Sequence, residues 1–344
     1  MKQVAILSID GGGIRGIIPG TILELIEEKI QEKTQNPQAR VVDYIDFVAG
    51  TSTGGILGCG MLMPDEIDPT RPKFTMKEVV NLYLENGQSI FSKSLGHKLK
   101  SVFGIREEKY PNTNLKKALQ TYFGDVYLSE LMKPCLFTSY DIESRKAKFF
   151  KHGYACQDET HDFYVKDLAL ATAAAPTYFE AALIQSRFGS KYPLIDGGVF
   201  ANNPAMCAYA EARKCTFGDI VNPTSKNMLM LSLGTGSVKE EIPYSKAKNF
   251  GLAQWIKPLI DVMMSGNSET VSHQLEWLFD AGNNNEGFIR IEPELIHAKP
   301  TMDDASKSNM KALREDAIRY VKDNSMKINN LVDKLIKNQS YEDQ

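Results

Sequence analysis

The chain has 344 residues, 42% hydrophobic and 24% charged, which is enough apolar material for a large buried core and excludes a disordered or fibrous protein. Its 40 basic and 43 acidic residues leave a formal charge of −3, so no nucleic acid polymer is expected as a partner. The five cysteines (Cys59, Cys135, Cys156, Cys207 and Cys215) lack C-x-x-C spacing, which speaks against a disulfide framework or a zinc site and for a reducing cytoplasm.

Residues 4–9 (VAILSI) are a short apolar run that stops at Asp10-Gly11-Gly12-Gly13, the pattern of a buried strand entering a tight loop. Only Lys2 stands before this run, so no secretory leader is expected. Ile18, Ile22, Leu25, Ile26 and Ile30 then recur at helical spacing, and Pro19 falls in the first turn, where a missing N–H costs little. Residues 47–49 predict a second strand, which enters Gly50-Thr51-Ser52-Thr53-Gly54-Gly55 and is followed by a buried helix over 56–63. Across residues 92–117 seven basic side chains meet only Glu107 and Glu108, with Leu95, Leu99, Val102 and Phe103 interleaved, the pattern of either a membrane-facing surface or a solvated loop. Further strands are predicted at 135–140, 194–195, 228–233 and 288–291, and a last amphipathic helix carries Ile328, Leu331, Val332, Leu335 and Ile336.

Strands alternating with helices predict an α/β layered fold with a largely parallel central sheet covered by helices, and ligand sites at the strand C-termini. No linker or repeat divides the chain, so one domain is expected over 1–344, with the motifs in a core of about 4–240 and a helical part at about 250–340. No apolar run approaches the roughly 18 to 20 residues that span a bilayer, so any membrane contact is expected to be peripheral.

Three segments carry chemistry. Gly50-Thr51-Ser52-Thr53-Gly54 fits G-x-S-x-G, in which small neighbours let the chain turn sharply and expose a serine hydroxyl at a helix N-terminus; a glycine turn with a capping serine fits it equally. Gly11, Gly12 and Gly13 can aim successive N–H groups into one concavity, as an oxyanion hole or, with Gly16, as the G-x-G-x-x-G of a dinucleotide site. The dinucleotide alternative, an oxidoreductase, needs an acidic residue at the end of the second strand, and Glu27 and Glu28 fall inside the helical pattern instead. Asp196-Gly197-Gly198 is by itself a common turn, but beside the other two segments it supplies a base. A Ser-Asp-His triad completed by His273 or His297 is the competing arrangement, although neither histidine sits at a strand end or beside glycines. His97, His152 and His161 lie in polar surroundings that suit solvated histidines.

These segments, in this order, resemble the patatin family of lipid acyl hydrolases. The resemblance extends to residues 6–20 (ILSIDGGGIRGIIPG), 43–55 (DYIDFVAGTSTGG), 82–91 (LYLENGQSIF), 169–179 (ALATAAAPTYF), 194–204 (LIDGGVFANNP), 230–236 (MLSLGTG) and 302–310 (MDDASKSNM), and so covers nearly the whole chain. It implies a modified α/β-hydrolase-like fold and a Ser52-Asp196 dyad with no metal or other cofactor, acting on membrane phospholipids, lysophospholipids or galactolipids. It assigns the oxyanion hole to Gly11, Gly12 and Gly13, with Arg15 at the basic position of that loop, and the motif glycines to Gly16, Gly50, Gly54, Gly197 and Gly198. Together with the missing leader it implies a bacterial enzyme working from the cytoplasm at the membrane surface. Some bacterial relatives are regulated effectors switched on by a cyclic nucleotide or another activator, and nothing in this sequence identifies one.

Overall fold

The protein is described by a computed structural model covering residues 1–92, 110–237 and 241–341. Most of the basic stretch at 92–117, and His97, lie outside these residues.

The first apolar run is β1 (Val4–Ile9), buried along its whole length, and the helix after the glycine loop is α1 (Ile17–Thr34). They are followed by β2 (Phe47–Thr51), α2 (Thr53–Leu62), α3 (Met76–Ile90), α4 (Thr113–Phe123), β3 (Cys135–Asp141), β4 (Lys146–Lys151), α5 (Val165–Thr172), β5 (Ala182–Gln185) and β6 (Lys191–Asp196). The chain continues through α6 (Ala205–Ala212), β7 (Met228–Leu233), the long α7 (Leu252–Ala281), β8 (Phe288–Ile291), α8 (Lys307–Asp323) and α9 (Ser325–Gln339).

Strands β8, β7, β1, β2 and β3 lie side by side and all parallel. β4 and β6 pair antiparallel with β3, and β5 pairs antiparallel with β6, which extends the sheet beyond its parallel part. The sheet is thus largely parallel and covered by helices on both faces, the α/β arrangement predicted. Alternation along the buried strands sorts the core: Ala5, Leu7 and Ile9 pack with the helices of one face, while Val4, Ile6, Phe47 and Ala49 pack with Ala205, Ala208, Val271, Leu275 and Phe279 of α6 and α7 on the other. The C-terminal helix closes back on the chain start, where Asn338 accepts from the Gln3 N–H at 2.7 Å and donates to the Gln3 carbonyl at 2.9 Å.

One detail of the sheet decides where the site is. β4 pairs with β3 from Leu136 to Asp141, so it occupies one edge of β3. The other edge is shared: β2 occupies it up to Thr51 opposite Thr138, and β6 occupies the rest, running the other way, with Asp196 opposite Ser139. The two strands therefore end head to head on consecutive residues of β3, and the residue after Thr51 is Ser52.

Candidate active site

Ser52 sits between β2 and α2 with φ 55° and ψ −122°, a region that L-residues with side chains rarely adopt. The turn is too tight for side chains around it: a Cβ on Gly54 would lie 2.1 Å from the Ile9 carbonyl oxygen, and one on Gly50 would lie 2.4 Å from the Gly54 carbonyl oxygen. Such strain costs roughly 1–3 kcal/mol and persists only where the surroundings hold it. Here the Ser52 N–H donates to Thr172 Oγ1 at 2.9 Å, the Thr172 hydroxyl donates to the Thr138 carbonyl at 2.6 Å, and the Ser52 carbonyl accepts from Ile56 at 3.1 Å. Thr51 is fixed in turn by bonds at 2.6 Å to the Thr138 hydroxyl and to the Ala201 carbonyl. The outcome is a serine hydroxyl beside the unpaired first-turn N–H groups of α2, which favour developing negative charge.

Asp196 faces it and is only 4% exposed. Burial pushes its carboxyl up to about 7, against the opposing pull of hydrogen bonding from the Ser52 hydroxyl and the Gly198 N–H, the latter at 2.7 Å. Gly197 lets the chain pass against β3, since a Cβ there would lie 2.1 Å from Thr138 Oγ1. Gly16 is pressed in the same way against Thr53, where an added Cβ would lie 2.1 Å from the hydroxyl oxygen.

The glycine loop after β1 completes the floor, with a narrower role than three equivalent donors. Gly11 spends its N–H on the Asn202 carbonyl at 3.0 Å, and Ile14 spends its own on Met302 at 2.8 Å. Gly12 and Gly13 are left, their N–H groups without an acceptor among the described residues, and both line the cleft. Gly13 needs its glycine: φ is +59°, and a Cβ would lie 2.3 Å from the Met302 carbonyl oxygen. Arg15, expected in the oxyanion hole, instead braces the loop, donating to the carbonyls of Gly12 at 3.5 Å and Gly236 at 3.2 Å, and does not line the cleft. Below it, the buried Asp10 is gripped by Arg290 at 3.0 and 2.7 Å and by the Ser268 hydroxyl at 3.0 Å.

Replacing these glycines is expected to separate the loop's chemistry from its shape. An added Cβ on Gly12 would lie 2.2 Å from Thr235 Oγ1, the group that holds the Gly11 carbonyl at 3.0 Å. Gly12→Ala and Gly13→Ala should lower kcat by roughly a hundredfold to a thousandfold, the range for a lost oxyanion donor, with the larger loss at Gly13 and little change in KM. Steady-state kinetics on a soluble ester measure this, and unaltered kcat in both would mean that the glycines serve only the turn.

Above this floor opens a cleft with about 1100 Å³ of atom-free space, its open mouth included. Its walls are apolar: Ile56, Leu82, Ile90, Leu115 and Phe179 are buried, while Phe91, Ile260, Met263, Met264 and Met302 are partly exposed. Its few polar groups gather around Ser52 and Asp196. Asn202 is among them, buried, with Oδ1 lacking a hydrogen-bond partner among the described residues.

The competing arrangements do not assemble. His273 is exposed on α7 with its ring against Trp277, and His297 is exposed in a loop with its backbone N–H on Asp316; neither lines the cleft. His161 is partly exposed, but His152, expected in solvent, is half-buried beside Cys156, and burial lowers its pKa. β2 ends at Thr51 and leads into Ser52 with no carboxylate, so the glycine loop lacks the acidic partner a dinucleotide ribose requires. Thr138, Arg290 and Ser268 carry no sequence signal for their places here, and Thr172 and Asn202 only that of the family-like segments that contain them; all come to the site from separate parts of the chain.

A family model for patatin-like phospholipases matches residues 7–209. The chain is 33% identical to "Probable inactive patatin-3-Kuras 1" of Solanum tuberosum over 90% of its own length and 84% of that protein. It is 32% identical to "Patatin-like protein 2" of Oryza sativa (90% and 82%) and 31% identical to "Patatin-like protein 1" of Arabidopsis thaliana (95% and 83%). Among solved structures, VipD from Legionella pneumophila aligns with 93% of this chain and 67% of its own, at a TM-score of 0.35 and 12% identity.

Proposed function

Because the chain belongs to the patatin-like phospholipase family, whose general activity is lipid acyl hydrolysis, we propose that it cleaves fatty-acyl esters of membrane glycerolipids with Ser52 as nucleophile and Asp196 as general base. One of its relatives is named as inactive, so family membership does not by itself carry activity. The observation that carries the reading is the strained Ser52 opposite a buried Asp196 at the floor of one apolar cleft.

The chemistry follows from that geometry. Asp196 takes the hydroxyl proton as Ser52 Oγ attacks the ester carbonyl, and the Gly12 and Gly13 N–H groups receive the oxyanion. Collapse of the tetrahedral species expels the alcohol, which carries away the proton held by Asp196. Water then attacks the acyl-serine with Asp196 again as base, releasing the fatty acid and restoring Ser52. The apolar walls suit an acyl chain, and phospholipids, lysophospholipids and galactolipids all present one. Incubation with a mixed lipid extract, followed by mass spectrometry of the products with Ser52→Ala as the blank, tests the assignment; no fatty acid above the blank overturns it.

No histidine enters this scheme. His273→Gln and His297→Gln, singly and together, should retain turnover within about threefold, whereas loss of a triad member costs roughly a thousandfold or more. A loss of that size from either change alone would restore the triad.

A further inference from the structure

The mouth of the cleft is bordered by the first half of α7, and that half is apolar on two adjacent faces. Ile260, Met263 and Met264 point into the cleft. Trp255, Leu259 and Val262, spaced i, i+4 and i+7, face solvent, with Leu259 and Val262 each 50% exposed. Met263 belongs to both faces, since it lines the cleft and is 49% exposed, so the outer stripe runs without a break into the lining that leads to Ser52. Just before the helix, Ile242 and Tyr244 are also exposed, and Phe250 packs its ring edge-on against Trp255 at 5.4 Å. Lys246 and Lys248 are exposed beside them, and no acidic residue occurs between Tyr244 and Ile260.

A solvent-facing stripe of this length needs a partner, and its composition says which. Lysine is depleted at protein–protein interfaces, whereas aromatic, aliphatic and lysine side chains on one surface are the pattern of an element lying in a bilayer interface. No helix among the described residues is long and apolar enough to cross a membrane, so the contact would be superficial. Resting on the lipid-hydrolase reading, we propose that the face formed by Trp255, Leu259 and Val262, with Tyr244, Lys246 and Lys248, seats the protein on anionic phospholipid membranes. Met263 then bridges the bilayer and the cleft, and an acyl chain reaches Ser52 along apolar surface throughout.

The test uses full-length protein and vesicles of phosphatidylcholine and phosphatidylglycerol in equal parts, with Ser52→Ala as background so that the vesicles stay intact. Adding Leu259→Glu and Val262→Glu should lower the co-sedimenting fraction by about tenfold or more. Lys246→Glu with Lys248→Glu should weaken binding at low salt, an effect that fades as salt rises. With Ser52 present, the Leu259→Glu/Val262→Glu protein should lose vesicle hydrolysis but keep turnover of a short-chain soluble ester within about twofold. Vesicle binding unchanged by the paired glutamates would overturn the proposal. So would a dimer seen by ultracentrifugation that dissociates with the same pair while vesicle binding stays intact. Should the glutamates abolish binding while wild-type protein hydrolyses no ester at all, the docking face stands and the hydrolase reading falls.

Discussion

Ser52→Ala is expected to lower ester turnover by roughly a thousandfold or more while leaving a folded protein with an intact cooperative thermal transition. The fold should tolerate the change because alanine meets the same backbone demand at φ 55° that serine already meets, and Asp196, the acceptor of the lost hydroxyl, keeps the Gly198 N–H. Labelling by a fluorophosphonate, strong in the wild type and absent in the variant, gives a second readout. Ser52→Gly extends the prediction: it removes the hydroxyl and relieves the backbone, so it should be equally inactive yet about 1 kcal/mol more stable to denaturant. An active Ser52→Ala protein would remove the nucleophile assignment altogether.

Asp196→Asn should cut turnover by about a hundredfold to ten-thousandfold, because the amide keeps the shape and cannot accept a proton. Burial holds the carboxyl up at about 7 and the base works only when ionised, so wild-type activity should climb between pH 5 and pH 8 and level off above. The same carboxyl makes an opposite contribution to stability. Between its unfolded value of 3.8 and about 7 the native state holds a proton that the unfolded chain has released, so this group's contribution falls as pH rises through that window, by on the order of a few kcal/mol. Asp196→Asn should therefore melt close to wild type near pH 4 and above it near pH 8. Melting curves at several pH values, alongside pH–rate profiles, check both halves; a flat rate profile from pH 5 to pH 8 would contradict the base assignment.

The parts of this molecule legible in its sequence are those whose cause is local. β1 and β7 have the boundaries their runs predict, because strands buried along their whole length are nearly continuously apolar and end where glycine or a turn begins; the short edge strand β8 is legible despite Arg290. β4 escaped because Lys146, Lys148 and Lys151 break its pattern; it pairs only with β3, and there Lys148 lies over the Tyr192 ring while Lys151 pairs with Glu211. β5 has four residues, too few for any period to emerge. The elbow and the glycine loop were readable because their backbone excludes side chains. The direction of β6 was not, since a run of apolar residues reads alike both ways. Nor was the support that Thr172 gives Ser52 or Arg290 gives Asp10, as each depends on elements distant in sequence meeting in space.

The shared edge of β3 also bears on when the candidate site can assemble during synthesis. Ser52 leaves the ribosome early, but its base comes only with β6, the Gly11 tether needs Asn202, and the grip on Asp10 needs Arg290 from one of the last elements. On the proposed mechanism, a chain interrupted before those segments carries Ser52 without its base, so such a fragment is expected to hydrolyse no ester.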